Sequence, residues 1–261
     1  MDGSVLVSHF GRMGARVRVR EDIGGGLRLD IAKDRHGQFF DVLSGPDIDA
    51  RVVDVDERLR HLLLLGVNPV RGGLKTRFLC GHDEREWFVA AVPGNGVSRV
   101  RDAMEALKPA LVRSEQESKG VRGSARLRRR TGAYIRQGEW FFLPRPALVV
   151  KDWLVLRNEP LRRGRGKPHW AEFLCREGGE SVMVTPRHPS GLTLDHYREL
   201  IRSNPEASSW NWRPMRRNPT AFVKGTVRHP DHATIRLDVW HQVAMNTEGE
   251  APGARNVVFL D

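Results

Sequence analysis

With 261 residues, 39% of them hydrophobic, the chain is long enough for one large domain or two small ones and too apolar for wholesale disorder. Lys and Arg outnumber Asp and Glu by 43 to 32, and the resulting charge of +11 favours polyanions: RNA, DNA, an acidic protein or an anionic surface. Two cysteines, Cys80 and Cys175, exclude a disulfide framework, and the longest apolar run, Leu62 to Leu65, is far too short to span a bilayer, so the expected setting is the cytoplasm, with no membrane partner.

The first part, to about Leu111, reads as a small α+β domain. Leu27 to Ile31 alternates apolar with polar, as a half-buried strand does, and Gln38 to Leu43 follows after a turn at His36-Gly37. Arg51 to Val55 alternates again, and His61 to Val67 is dense enough for a central strand. Thr76 to Cys80 and Trp87 to Val92 flank the charged segment 81–86, as two strands on a polar connection. Val97, Val100, Ala103, Met104 and Leu107 then share one face of a helix that Pro109 ends. A sheet with one packed helix is the expected arrangement.

Residues 112–133 are poor in large apolar side chains and rich in charge. Arg122, Arg126, Arg128, Arg129 and Arg130 make their second half strongly positive, which reads as a basic linker or a solvated helix. From Tyr134 strands return and form a β-rich domain, 134–261. They are expected at Glu139 to Leu143, Leu148 to Leu156, a hairpin of Trp170 to Leu174 with Ser181 to Thr185, then Phe222 to Arg228 and Ile235 to Val243. One helix, Leu194 to Ser203, carries Thr193 as its N-cap. The overall expectation is an α+β fold whose second domain is a barrel-like or rolled sheet.

The closest approach to a chemical site is His229-Pro230-Asp231-His232, set between the last two strands. Proline presets the turn and Asp231 bonds the local backbone, so the two imidazoles can converge. With His169, or His241 as alternate, they would make the three protein ligands of a catalytic divalent metal such as zinc. Asp231 or Glu172 would orient an imidazole or act as general base. The bland alternative is ordinary turn chemistry, since histidines near strand ends often just bond the backbone. A second grouping, Cys80-Gly81-His82, places a thiol and an imidazole on one strand face.

Arg136-Gln137-Gly138-Glu139, the segment Gly166-Lys167-Pro168-His169 and His229-Pro230-Asp231-His232 occur in an order that resembles a group of uncharacterised bacterial and phage-associated proteins. That group carries an Arg-Gln-Gly-Asp start and a His-x-x-His near its end. The resemblance covers 134–247. It departs at Glu139, where the pattern has Asp, and in the middle segment, which holds one histidine where the pattern often has two. It implies that these positions matter and names no reaction.

The remaining constellations are basic. Arg162, Arg163, Arg165 and Lys167, punctuated by Gly164 and Gly166, form a loop able to drape on phosphate. Trp210 and Trp212 interleave with Arg213, Arg216 and Arg217; exposed, they would stack bases, and buried, they would be core. No phosphate-cradling or dinucleotide fingerprint is present in the sequence. The expectation is a nucleic-acid-binding protein, for RNA or single strands. The competing expectations are a metal-dependent hydrolase or nuclease at His169, His229 and His232, and an interaction subunit of a bacterial or phage-related complex with an acidic protein partner.

Overall fold

Strand β5 (His61–Asn68) is apolar on both sides, and the first half of the chain is arranged around it. The computed structural model describes residues 3–22, 26–94, 96–163 and 166–251. They form an α+β fold of two compact units. The first comprises residues 3–141 with 230–233 and 244–251, the second 142–229 with 234–243.

In the first unit, helix α1 (Gly3–Arg12) buries Leu6 and Phe10 and ends before Gly14, whose φ is 77°. Three strands follow: β1 (Val17–Glu21), β2 (Leu27–Asp34) and β3 (Gly37–Ser44). They form a sheet in the order β1-β3-β2, with β1 parallel to β3 and β2–β3 the expected hairpin. Strands β4 (Asp49–Asp56), β5, β6 (Leu74–Asp83) and β7 (Glu86–Ala91) make an antiparallel meander. Leu62, Leu64 and Cys80 on one face of the meander pack with Phe40 and with Leu6, Phe10 and Met13. Leu63 and Leu79 on the other pack against helix α2 (Val100–Ala106) through Val100 and Ala103. The charged segment expected as a long connection is mostly strand: only Glu84 and Arg85 turn the chain, with Glu84 at φ 53°.

At 112–133, the expected linker or solvated helix begins as a helix, largely exposed on its outer side. Helix α3 (Ala110–Ser118) buries Val112 and Gln116 against the first unit, which continues to residue 141. The physical reason is a set of hydrogen bonds onto the Arg126 carbonyl. Lys108 Nζ, Gln116 Nε2 and the Tyr134 hydroxyl all donate to it, at 2.7, 2.9 and 2.9 Å. Residues 244–251 return to the same unit. Asn246 N bonds the Glu139 carbonyl and Thr247 N that of Leu107. Strand β8 (Ile135–Gln137) leads into β9 (Trp140–Pro144).

The second unit does not contain the strand expected at 148–156. Val149 is 88% exposed and Trp153 76%, and the strand forms later, as β10 (Leu156–Leu161). Nor do β11 (His169–Glu177) and β12 (Glu180–Thr185) pair as a hairpin. β11 lies between β10 and β15 (Thr220–His229), and β16 (His232–Met245) follows β15 in the strand order. β12 instead pairs with β13 (His188–Thr193) and β14 (Arg213–Arg217), beside helix α4 (Leu194–Ser203). Thr193 caps α4 as expected, accepting from His196 N. The glycine pair 178–179, both at positive φ, sends β12 away from β11. Among the described residues no strand set closes, so the unit is built from open sheets and the barrel-like expectation does not hold.

His61 at the start of β5 is buried. Its Nδ1 donates to the Leu59 carbonyl, and its ring meets Phe88 edge-on over Gly81, where a β-carbon would come within 2.8 Å of both rings. Burial lowers the imidazole from 6.5 to about 4. The unfolded chain therefore binds this proton in a pH range where the folded one does not. Stability should fall as pH drops from about 6.5 to about 4, by up to about 3 kcal/mol if no other group compensates. Urea unfolding across that range should show the slope, and His61→Gln should flatten it.

Candidate functional site

The β15–β16 turn is flanked by His229 and His232, and β11 begins at His169. In the register of β11 with β15, Trp170 pairs with Arg228, so His169 and His229 are the next cross-strand neighbours. Their rings stack at 4.1 Å, with His169 1% exposed on the buried side of the sheet. His232 follows across Pro230-Asp231. Of the candidate group, His169 and His229 belong to the second unit and His232 to residues 230–233 of the first. Burial lowers the His232 imidazole, which keeps it in the neutral form a metal requires.

The surroundings of His232 were not foreseen from sequence. Its Nδ1 lies 3.7 Å from Glu84 Oε2, and the same carboxylate accepts from Ala233 N and pairs with Arg129. Gln137 Nε2 donates to the Ala233 carbonyl at 2.7 Å. Within the first unit, Glu84 and Gln137 thus fix residues 232–233. Gln137 belongs to the Arg-Gln-Gly-Glu segment that carried the resemblance.

His241, the alternate ligand, is not in the group. It lies nine residues further along β16, about 30 Å at strand rise, with Nδ1 donating to the Val239 carbonyl. Glu172 also lies apart. It is exposed where His169 is buried, and its carboxylate accepts from Thr226 N at 2.8 Å, which lowers its pKa. Asp231 sits in the turn itself, adjacent to His232. Cys80 is fully buried and burial pushes its thiol up, which disfavours a thiolate nucleophile.

The arginines divide into two sets. Arg126 is bound to Glu105 at 3.0 Å and Arg129 to Asp83 and Glu84. Arg217 pairs with Glu180, and Arg216 donates to the Gly178 and Gly179 carbonyls. These groups hold the fold and are less available to phosphate. Arg122, Arg128, Arg130, Arg162 and Arg213 are exposed, as is Lys167, with Arg163 half-buried. Arg165 lies outside the described residues.

Trp210 and Trp212 are half-buried, between the two sequence expectations. Trp212 Nε1 donates to the Ala207 carbonyl at 2.7 Å and Tyr197 meets its edge. The two indoles and His188 are near-parallel, with centroids about 6 Å apart, and the Arg187 guanidinium lies 4.2 Å from the Trp210 centroid. His188 and Arg187 were missed because β13 was not foreseen. Compared with known protein families, with curated proteins and with solved structures, the chain matches none.

Asp83 is the anion between two cations. The half-buried Arg136 reaches it at 3.0 Å, and Arg129 contacts the same oxygen. Asp83→Ala removes the Arg136 ion pair and leaves Arg129 with Glu84 alone. It should destabilise the first unit by about 3 kcal/mol, measured by urea unfolding.

Proposed function

We propose that the protein binds nucleic acid, RNA or single strands, through its second unit. The observation that carries this reading is the union of charge and aromatic surface there. Residues 142–229 hold 16 Lys and Arg against 8 Asp and Glu. Within that span Arg187, His188, Trp210 and Trp212 form a cation-flanked aromatic cluster. Cations neutralise phosphates sequence-independently, and half-exposed rings stack bases whatever their identity. The exposed Arg213 and the basic loop at Arg162, Arg163 and Lys167 extend the same field.

Affinity for a random-sequence single-stranded RNA should fall about 50-fold between 50 and 200 mM salt if about four phosphates are contacted. Trp210→Ala/Trp212→Ala should weaken binding by roughly 5-fold or more. An affinity that stays flat with salt sinks this reading, because neutralised phosphates must release counterions.

A second reading is a metal-dependent hydrolase, favoured by the stacked imidazoles of His169 and His229, with His232 three residues on in the sequence. Three neutral imidazoles suit zinc and leave one position for water, whose pKa would drop towards about 7. With a nucleic-acid substrate the two readings merge in a nuclease. Elemental analysis of untagged protein should find near-stoichiometric zinc that His229→Ala/His232→Ala loses. Metal-free protein, even after reconstitution, removes the hydrolase.

A further inference from the structure

Of the residues considered so far as a candidate site, only Glu172 lies on the solvent face of β10-β11-β15. The opposite face is core: Ala171, Leu174, Val223 and Val227 are all fully buried. The outward face holds two cross-strand rows. In one, Arg157 pairs with Phe173 and Phe173 with Lys224; in the other, Pro160 pairs with Trp170 and Trp170 with Arg228. Arg157, Lys224 and Arg228 are exposed, and Trp170 is 37% exposed on a strand whose alternate residues are core.

Between the rows the three strands are irregular together. Asn158 has φ 52°, the β11 register shifts between Ala171 and Phe173, and Gly225 has φ 82°. A β-carbon on Gly225 would meet Glu172 Oε2 at 2.6 Å, so glycine is what lets that carboxylate reach Thr226 N. Irregularities of this kind bend a strand and re-aim its side chains. Here they hold two cations in place. Asn158 Oδ1 accepts from Arg228 Nη2 at 3.0 Å, and the Arg157 guanidinium lies 5.0 Å from the Phe173 centroid.

We infer that this sheet face is a binding platform for single-stranded nucleic acid, on which bases stack on the Trp170 indole and on the Arg157 guanidinium over Phe173 while Lys224 and Arg228 take phosphates. The inference rests on the nucleic-acid reading and gives it a second surface. Charge decides the occupant: three exposed cations surround two aromatic rings, which suits a polyanion with flat bases better than an apolar protein surface. Duplex is excluded by the same geometry, because its bases are already stacked on one another and cannot lie on side chains of a sheet. Glu172, whose carboxylate accepts from the Thr226 amide, lies between Trp170 and Phe173 along β11 and would accept from an exocyclic amino group of a bound base.

The test uses full-length protein, a fluorescent 12-nucleotide oligo(U) and a 12-base-pair RNA duplex, read by anisotropy. The variants are Trp170→Ala and Lys224→Ala/Arg228→Ala, all at exposed positions, with circular dichroism to verify folding. Trp170→Ala should weaken oligo(U) binding roughly 5- to 150-fold. Lys224→Ala/Arg228→Ala should flatten the log–log salt slope by about 1.4. Native protein that binds oligo(U) while all these variants bind equally well overturns the platform and leaves binding at the Trp210–Trp212 cluster standing. Equal affinity for duplex and single strand also overturns it. Native protein that binds neither probe removes the nucleic-acid reading itself.

Discussion

The first unit depends on a strand that has no polar face. Leu62 and Leu64 face α1 and the β1-β3-β2 sheet, while Leu63 faces α2. Each surface must be covered, because leaving a leucine side chain in water forfeits about 1.5–3 kcal/mol. That requirement explains the helix at the start of the chain and the helix after β7, one for each side of the meander. It also explains why the turn at Glu84–Arg85 is tight: β6 and β7 stay paired up to the turn to keep Cys80 and Leu79 on their proper faces.

The second unit is organised by charge as much as by core. Its arginines do two jobs that sequence composition does not separate. Some, such as Arg217 on Glu180 and Arg176 beside Glu159, are bound within the unit. Others, such as Arg157 and Arg228, are oriented by a ring or an amide and keep their charge exposed. An oriented, exposed guanidinium has less freedom to lose on meeting an anion, which is the condition for a useful phosphate or base contact. The histidines follow a different rule. His169 and His229 stack across β11 and β15, and residues 232–233 are fixed by Glu84 and Gln137.

Much of this was legible in the residues themselves. Alternation marked β2 and β4, the leucine run marked β5, and Thr193 marked the start of α4, because each signal is local. Helix α1 escaped notice because its buried side is only Leu6 and Phe10, with Val5 and Val7 exposed. β13 and β14 escaped because Pro189, Gly191 and Pro214 argue against strands, and only pairing with β12 overrides them.

The sequence by itself determined the α+β class, the positive charge, the central strand and the His-Pro-Asp-His turn, since these are set by composition or by neighbours a few residues apart. Tertiary structure alone decided which strands pair, that the basic connector folds onto the first unit, and which arginines are spent on carboxylates. It alone brought His169 to His229 and set Trp170 between Pro160 and Arg228. Those contacts join residues tens of positions apart, and their energies come from burial and pairing that no local pattern encodes.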